Sequence, residues 1–290
     1  MAVNLVTKFQ PYVDDMFTTE SKKSLLTNND FTWTGAHTVK VHKVNTVPMT
    51  DYDRDGSGVG TVPEEGESVI WSRYGALGSV ENTLEEFTLT KDRSFTFVID
   101  KMDRDETGGV LSGASALARQ QREVIIPEID AYVYSKMAAG AGTQKTTVTL
   151  DETNIYEEIL SGNEILDDAE VPEAGRILIV TADVYKFMKQ SQDIIMDTDI
   201  SAEMRLQGVI SNLDGLTVIK VPKKRLPSNF GFMIAHPVAT VAPTKLEEYK
   251  VHQDPPGISG ELVEGRIVYD AFVLDNKKMA IYYEENKPSE

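Results

Sequence analysis

The chain contains no cysteine, and this one absence excludes disulfide bridges, thiolate metal sites, iron–sulfur clusters and cysteine nucleophiles together. Stability must come from packing or from assembly with other chains. No run of eighteen apolar residues occurs and the opening MAVNLVTKFQ lacks a charged-then-apolar leader, so neither a membrane span nor a secretory signal is expected. Basic residues are few: 29 against 46 acidic ones give a formal charge of −17, which opposes non-specific binding to a phosphate backbone. A nucleic-acid reader is not expected, whereas a surface that must not adhere to nucleic acid suits this sign.

Catalytic and metal-binding patterns are also scarce. The four histidines, His37, His42, His236 and His252, are scattered, and no HExxH occurs. His37 and His42 stand five apart on a predicted strand, hence on opposite faces, which argues against a shared metal. No serine sits in a GxSxG elbow. The neighbouring carboxylates Glu157/Glu158 and Asp167/Asp168 point apart on a predicted helix and read as solvated. Asp51, Asp53 and Asp55 followed by Gly56 match the first half of an EF-hand calcium loop, with oxygen ligands at alternate positions. The match fails at position twelve, where Val62 replaces the bidentate glutamate, so these three are the metal candidates of an acidic turn to which no metal is assigned. Gly56, Gly58 and Gly60 suggest a phosphate cradle, but no Lys-Ser/Thr pair follows, and the stretch reads as a flexible tip.

What the sequence does contain is a pair of overlong elements. Over residues 87–99 the odd positions are mostly apolar and the even ones polar, the period of a strand. At ~3.3 Å per residue such a strand spans roughly 43 Å, too long for one small core. Its expected antiparallel partner is the β-branched segment 38–47, which makes 48–86 the long tip of a ribbon. That tip carries Trp71, Arg73, Tyr74 and Leu77 without a local core, so it is expected to pack on something else, such as another copy of the chain.

The second element runs from near Gly109 to near Gly140, with Leu117, Ile125, Ile129, Val133 and Met137 at helical spacing. It would reach roughly 46 Å against an expected radius of gyration of ~19 Å, which predicts a flat or elongated subunit. Pro127 interrupts it, so a kink or short break is expected there. Residues 1–33, with Phe17 among the apolar positions, read as an arm. Further on, the pattern predicts a strand at 146–150 and a helix capped near Asp151 or Thr153, with Ile155, Ile159, Leu160 and Ile165 inward. Then come a strand at 177–180, a helix started by Thr181, and strands at 216–221, 230–235 and 246–252. A closing pair, 266–274 with 278–283, ends an α+β chain whose second unit is large enough for its own core.

This order of arm, ribbon, interrupted long helix and α+β unit resembles the major capsid proteins of tailed bacteriophages, with the Hong Kong 97-like fold. Three strings carry the likeness: LTKDRSFTF at 89–97 with Ile99 and Asp100, EVIIPEIDAY at 123–132, and VEGR at 263–266 with YDAFVL at 269–274. The resemblance implies an N-arm at 1–33, a strand of the P-domain at 34–47, an E-loop at 48–86, and the P-domain at 87–150 with a spine helix at 109–139. It further implies an A-domain at 151–243, a P-domain return at 244–274, and a closing A-domain strand and tail at 275–290. By the same likeness the chain is a non-enzymatic shell protein without cofactor. Copies of it form hexamers and pentamers of an icosahedral head that encloses double-stranded DNA without sequence-specific binding. A separate scaffolding protein and a portal are the implied partners, since no coiled-coil segment is seen ahead of the arm. No membrane is involved, and the implied location is the virion capsid, assembled in the host cytoplasm. Phe17, Trp71, Arg73, Tyr74 and Leu77 are the expected intersubunit contacts, and Pro127 the expected hinge. Two rival readings stand beside it: an encapsulin-like nanocompartment shell, and a carboxylate-based calcium-binding or metal-dependent hydrolytic protein centred on Asp51, Asp53 and Asp55.

Overall fold

The long strand expected over 87–99 is two strands with different partners. A computed structural model describes residues 20–28, 38–44, 46–62, 69–75, 79–80, 82–107, 112–146, 149–191, 194 and 212–287. In it, β1 (Thr38–Val44) pairs antiparallel with β2 (Asn82–Thr88), from Thr38 opposite Thr88 to Val44 opposite Asn82. The next strand, β3 (Lys91–Asp100), pairs instead with a strand more than 160 residues away. The break falls at Leu89, which is buried, and Thr90, whose amide and hydroxyl both donate to Asp270 Oδ2 at 2.8 and 2.7 Å. Because Phe87 and Leu89 keep the same alternation on either side, the period alone could not reveal the break.

The chain divides into two compact units, Gly35–Thr88 and the remainder. The first is the β1–β2 hairpin and its tip. Lys40 pairs with Glu86 across the strands, and the Thr38 and Thr88 hydroxyls meet at 3.0 Å.

In the second unit, Asp100 ends β3 and caps α1 (Lys101–Glu106) by accepting from the Met102 amide at 2.8 Å. The predicted long helix follows as α2 (Gly113–Gln120), a π turn (Gln121–Ile125) and α3 (Ile126–Ala139). Among the described residues it begins at Gly113, where Ser112 is extended and caps the helix with its side chain, and Gly109 lies outside them. The interruption predicted at Pro127 takes the form of that wider turn, not a break, and Ile126 N–H bonds the Gln121 carbonyl five residues back. Proline has no N–H for the carbonyl four residues earlier and its ring crowds it. A π turn just before the ring relieves both while the helical backbone continues.

The remaining elements are β4 (Thr143–Lys145), α4 (Ile155–Asp168), β5 (Ile177–Val180), α5 (Ala182–Gln190), β6 (Asn212–Leu213), β7 (Leu216–Lys220) and β8 (Phe230–Ala235). After them come β9 (Thr240–Val241), β10 (Thr244–Gln253), β11 (Gly260–Tyr269), β12 (Phe272–Val273) and β13 (Ile281–Glu285). They build a six-stranded sheet in the order β4-β13-β8-β5-β7-β6 and a three-stranded sheet β10-β11-β3. The early short strand described is Thr143–Lys145, while residues 147 and 148 of the expected 146–150 lie outside the described residues. One expectation changes here: the closing segments do not pair with each other. β11 lies in the three-stranded sheet, while β13 inserts between β4 and β8.

Cores cover both faces of the six-stranded sheet. Ile177 and Ile179 of β5 point to one face, where Ile129, Val133 and Met137 of α3 pack with Met233, Ile281 and the N-terminal residue Leu26. Leu178 and Val180 point to the other, against Ile155, Ile159 and Leu166 of α4 and Val184 and Met188 of α5. A strand buried on both faces reads as a continuous apolar run, which is why ILIV at 177–180 was legible as a strand. The inward face of α4 departs from expectation in one place: Leu166 is buried, whereas Leu160 is 40% exposed.

Candidate functional site

The hairpin tip is built around one carboxylate. Asp53 Oδ1 accepts from the amides of Asp55 (3.1 Å) and Gly56 (2.8 Å), and Oδ2 from the amide of Gly58 (2.8 Å). These donors, the Gly58 amide foremost, hold the Asp53 carboxyl below its ordinary value. Gly56 adopts φ 71° with the Arg73 guanidinium against it, and Arg73 Nη1 donates to the Arg54 carbonyl at 3.0 Å. Two further backbone bonds, Asp53 N–H to Arg73 O at 2.9 Å and Gly60 N–H to Ile70 O at 2.8 Å, close the loop. The stretch read as a flexible tip is therefore a hydrogen-bonded loop. Within its acidic motif, Asp53 binds backbone amides, and among the described residues no group of three or more histidine or carboxylate side chains is placed to hold a metal.

On this loop the aromatics stand outward. Trp71 is 69% and Tyr74 79% exposed, and Tyr74 meets Tyr52 edge-to-face at 5.0 Å. Of the other expected contact residues, Arg73 is spent on its own loop, and Phe17 and Leu77 lie outside the described residues.

A second constellation joins the three strings singled out in the sequence. Asp270, after β11, accepts at Oδ2 from Thr90 and at Oδ1 from the Tyr132 hydroxyl of α3 and the Ala271 amide, both at 2.8 Å. Burial first, then this bond to Asp270, pushes the Tyr132 phenol up. Beside it, Glu128 Oε1 accepts from Arg93 of β3 at 2.8 Å and from the Tyr269 hydroxyl at 3.4 Å. Thus 89–97, 123–132 and 269–274 are tied by side-chain bonds between strand, helix and returning strand.

A model of the family described as "Phage capsid protein" matches residues 83–283. The chain belongs to that family. A search of the curated proteins found no match. Among solved structures, one from Mycobacterium phage Che8 superposes with TM-score 0.78 at 17% identity, covering 99% of this chain and 100% of that one. The capsid structure of the cyanophage P-SCSP1u gives 0.74 at 13% identity, covering 99% and 94%. The mature capsid of bacteriophage PhiM1 gives 0.71 at 14%, covering 98% and 93%.

As a phage capsid protein with the Hong Kong 97-like fold, the chain is a structural component of the virion capsid. The nanocompartment and calcium readings are not favoured.

The capsid protein also contains buried charges that sequence reasoning missed. Asp130 of α3, 1% exposed, pairs with Arg225 at 2.8 Å and accepts from Ser21 Oγ at 2.6 Å, tying the segment 20–28 to α3. A carboxylate beside the apolar stripe of Ile129 and Val133 was the available signal. Arg176, also 1% exposed, is satisfied by the Pro172 and Val171 carbonyls, Asn163 and Asp167. Glu284 of β13 is fully buried, accepts from the Tyr282 hydroxyl at 2.8 Å, and leaves Oε1 without a partner. Burial pushes its carboxyl up to about 7, with Glu158 adding to the rise while the Tyr282 bond and Lys145 oppose it.

Proposed function

We propose that this capsid protein assembles into hexamers and pentamers of an icosahedral head enclosing double-stranded DNA, with a separate scaffolding protein and a portal as partners in the host cytoplasm. The observation that carries the reading is the tip of the Gly35–Thr88 unit. Backbone bonds and the Asp53 carboxylate order its described residues, yet it holds Trp71 and Tyr74 in water. Exposed aromatics on an ordered loop match the composition of interface anchors. In this reading residues 48–86 are the E-loop lying on a neighbour, 1–33 the arm, 109–139 the spine within the P-domain at 87–150, and 151–243 the axial domain. The stretch 244–274 returns through the P-domain, and 275–290 is the closing strand of the axial domain and the tail. Many modest contacts per subunit add by multivalency and leave room for correction during assembly.

The π turn before Pro127 is the hinge of the spine, because its wider ring is the one departure from the α ladder in that helix. Hydrogen exchange compared between immature and mature shells reads this, with faster exchange at 121–127 in one state expected and equal protection against it. The reading as a whole is tested by negative-stain microscopy of the protein expressed with and without the neighbouring phage proteins. Closed shells or capsomer rings that contain DNA are expected. Shells that contain only protein cargo favour a nanocompartment, and a monomer at every concentration removes the reading.

A further inference from the structure

The layer of helices over the six-stranded sheet is electrically lopsided. Residues 151–173, which include α4, contain nine acidic residues and no basic one. Glu157, Glu164 and Asp168 are exposed, and their spacing of seven and four residues places them along one side of α4. Helix α4 packs toward the β13 end of the sheet, where Gly162 lies against the Tyr282 ring. At the opposite end, α5, the close of β7 and the turn after it gather Lys186, Lys189, Lys220, Lys223 and Lys224, and among the described residues there Asp183 is paired to Lys223. Lys189 and Lys220 both approach the Tyr185 ring, at 5.3 and 4.5 Å.

Copies of a chain with net charge −17 repel on average, so a contact between them needs local complementarity. We propose that the basic corner of α5 and β7 seats against the acidic side of α4 on a second copy of this chain. The two patches differ and lie at opposite ends of one layer. The contact is therefore heterologous, and repetition with rotation closes a ring. The inference rests on the shell reading above and adds which surfaces meet within a capsomer.

The test is zero-length carbodiimide crosslinking of assembled particles made from mixed isotopically labelled and unlabelled protein. Mapped by mass spectrometry, mixed-label crosslinks are expected between Lys186, Lys220 or Lys224 and Glu157, Glu164 or Asp168. In parallel, Lys186→Glu with Lys224→Glu, and separately Glu157→Lys with Glu164→Lys, should each lower the yield of rings and shells about tenfold or more. The melting temperature of the unassembled subunit should be unchanged, and the four substitutions together should recover assembly. Particles lacking those crosslinks, single-face variants that assemble like the parent, or a combined variant as defective as either single-face one would overturn the proposal while leaving the shell reading intact. If the parent protein forms neither rings nor shells, the shell reading fails, and this inference falls with it.

Discussion

The hairpin unit Gly35–Thr88 and the six-stranded sheet reach order by different routes. The sheet buries side chains on both faces, so Leu178, Ile179, Phe232, Met233, Ile234 and Ile281 all have no measurable exposure. The hairpin has one buried side chain among its described residues, Phe87, and is organised by a strand ladder, ion pairs and the Asp53 loop. One region is stabilised by what it excludes from water. The other orders its described backbone by hydrogen bonds and leaves Trp71 and Tyr74 exposed. In the shell reading proposed above, the first part folds before assembly and the second is completed by it.

The contrast can be broken or sharpened by substitution. Its largest expected effect is Phe232→Ala, which empties a site between α4, α5 and the sheet and should cost about 3–5 kcal/mol in denaturant unfolding of the subunit. Asp270→Ala strands the Tyr132 hydroxyl and the Thr90 amide and hydroxyl, and a loss of about 2–3 kcal/mol is expected by the same measurement.

Glu284 gives a pH dependence with a definite sign. Its native carboxyl titrates at about 7, above its ordinary 4.5, so the folded state binds more protons and this group's stability contribution is lost as pH rises between those values. Melting temperature followed against pH should fall across that window, and Glu284→Gln should flatten the slope; an unchanged slope would assign it to other groups. Asp53→Ala should leave the melting of the sheet unit unchanged while raising amide exchange at Asp55, Gly56 and Gly58. Because its carboxyl is held low, the same exchange should appear in the parent protein only as pH falls below the ordinary aspartate range. The smallest effect on the isolated subunit, within about 0.5 kcal/mol, belongs to Trp71→Ala, since an exposed side chain contributes little there. Its effect on shell yield should be large. A Trp71 variant that destabilised the monomer or assembled normally would erase the difference between the two regions.

Much of the sheet unit was legible in advance. The strands at 177–180 and 230–235 and the helix begun by Thr181 lie where apolar runs and a capping threonine place them. The single strand expected over 87–99 is two, because burial of Leu89 preserves the alternation while Thr90 turns its amide toward Asp270, a partner no local pattern announces. The EF-hand-like Asp51, Asp53 and Asp55, to which the sequence assigns no metal, show a related limit. A carboxylate that binds cations and one that binds amides look alike in sequence, and only the backbone folding around Asp53 distinguishes them.

Gly265 shows the limit most plainly. In sequence it is one glycine of a VEGR string, but a Cβ there would lie 2.2 Å from the Phe95 ring, on a strand 170 residues earlier. By itself, the sequence determined what depends on neighbours along the chain: helix and strand periods, caps, the acidic balance and the lack of thiols. The tertiary structure alone decided which strands pair, where β13 inserts, which carboxylates are buried and which aromatics stay uncovered. These are choices among distant partners. Each is settled by solvent exclusion and hydrogen-bond satisfaction over the whole fold, quantities that no local window contains.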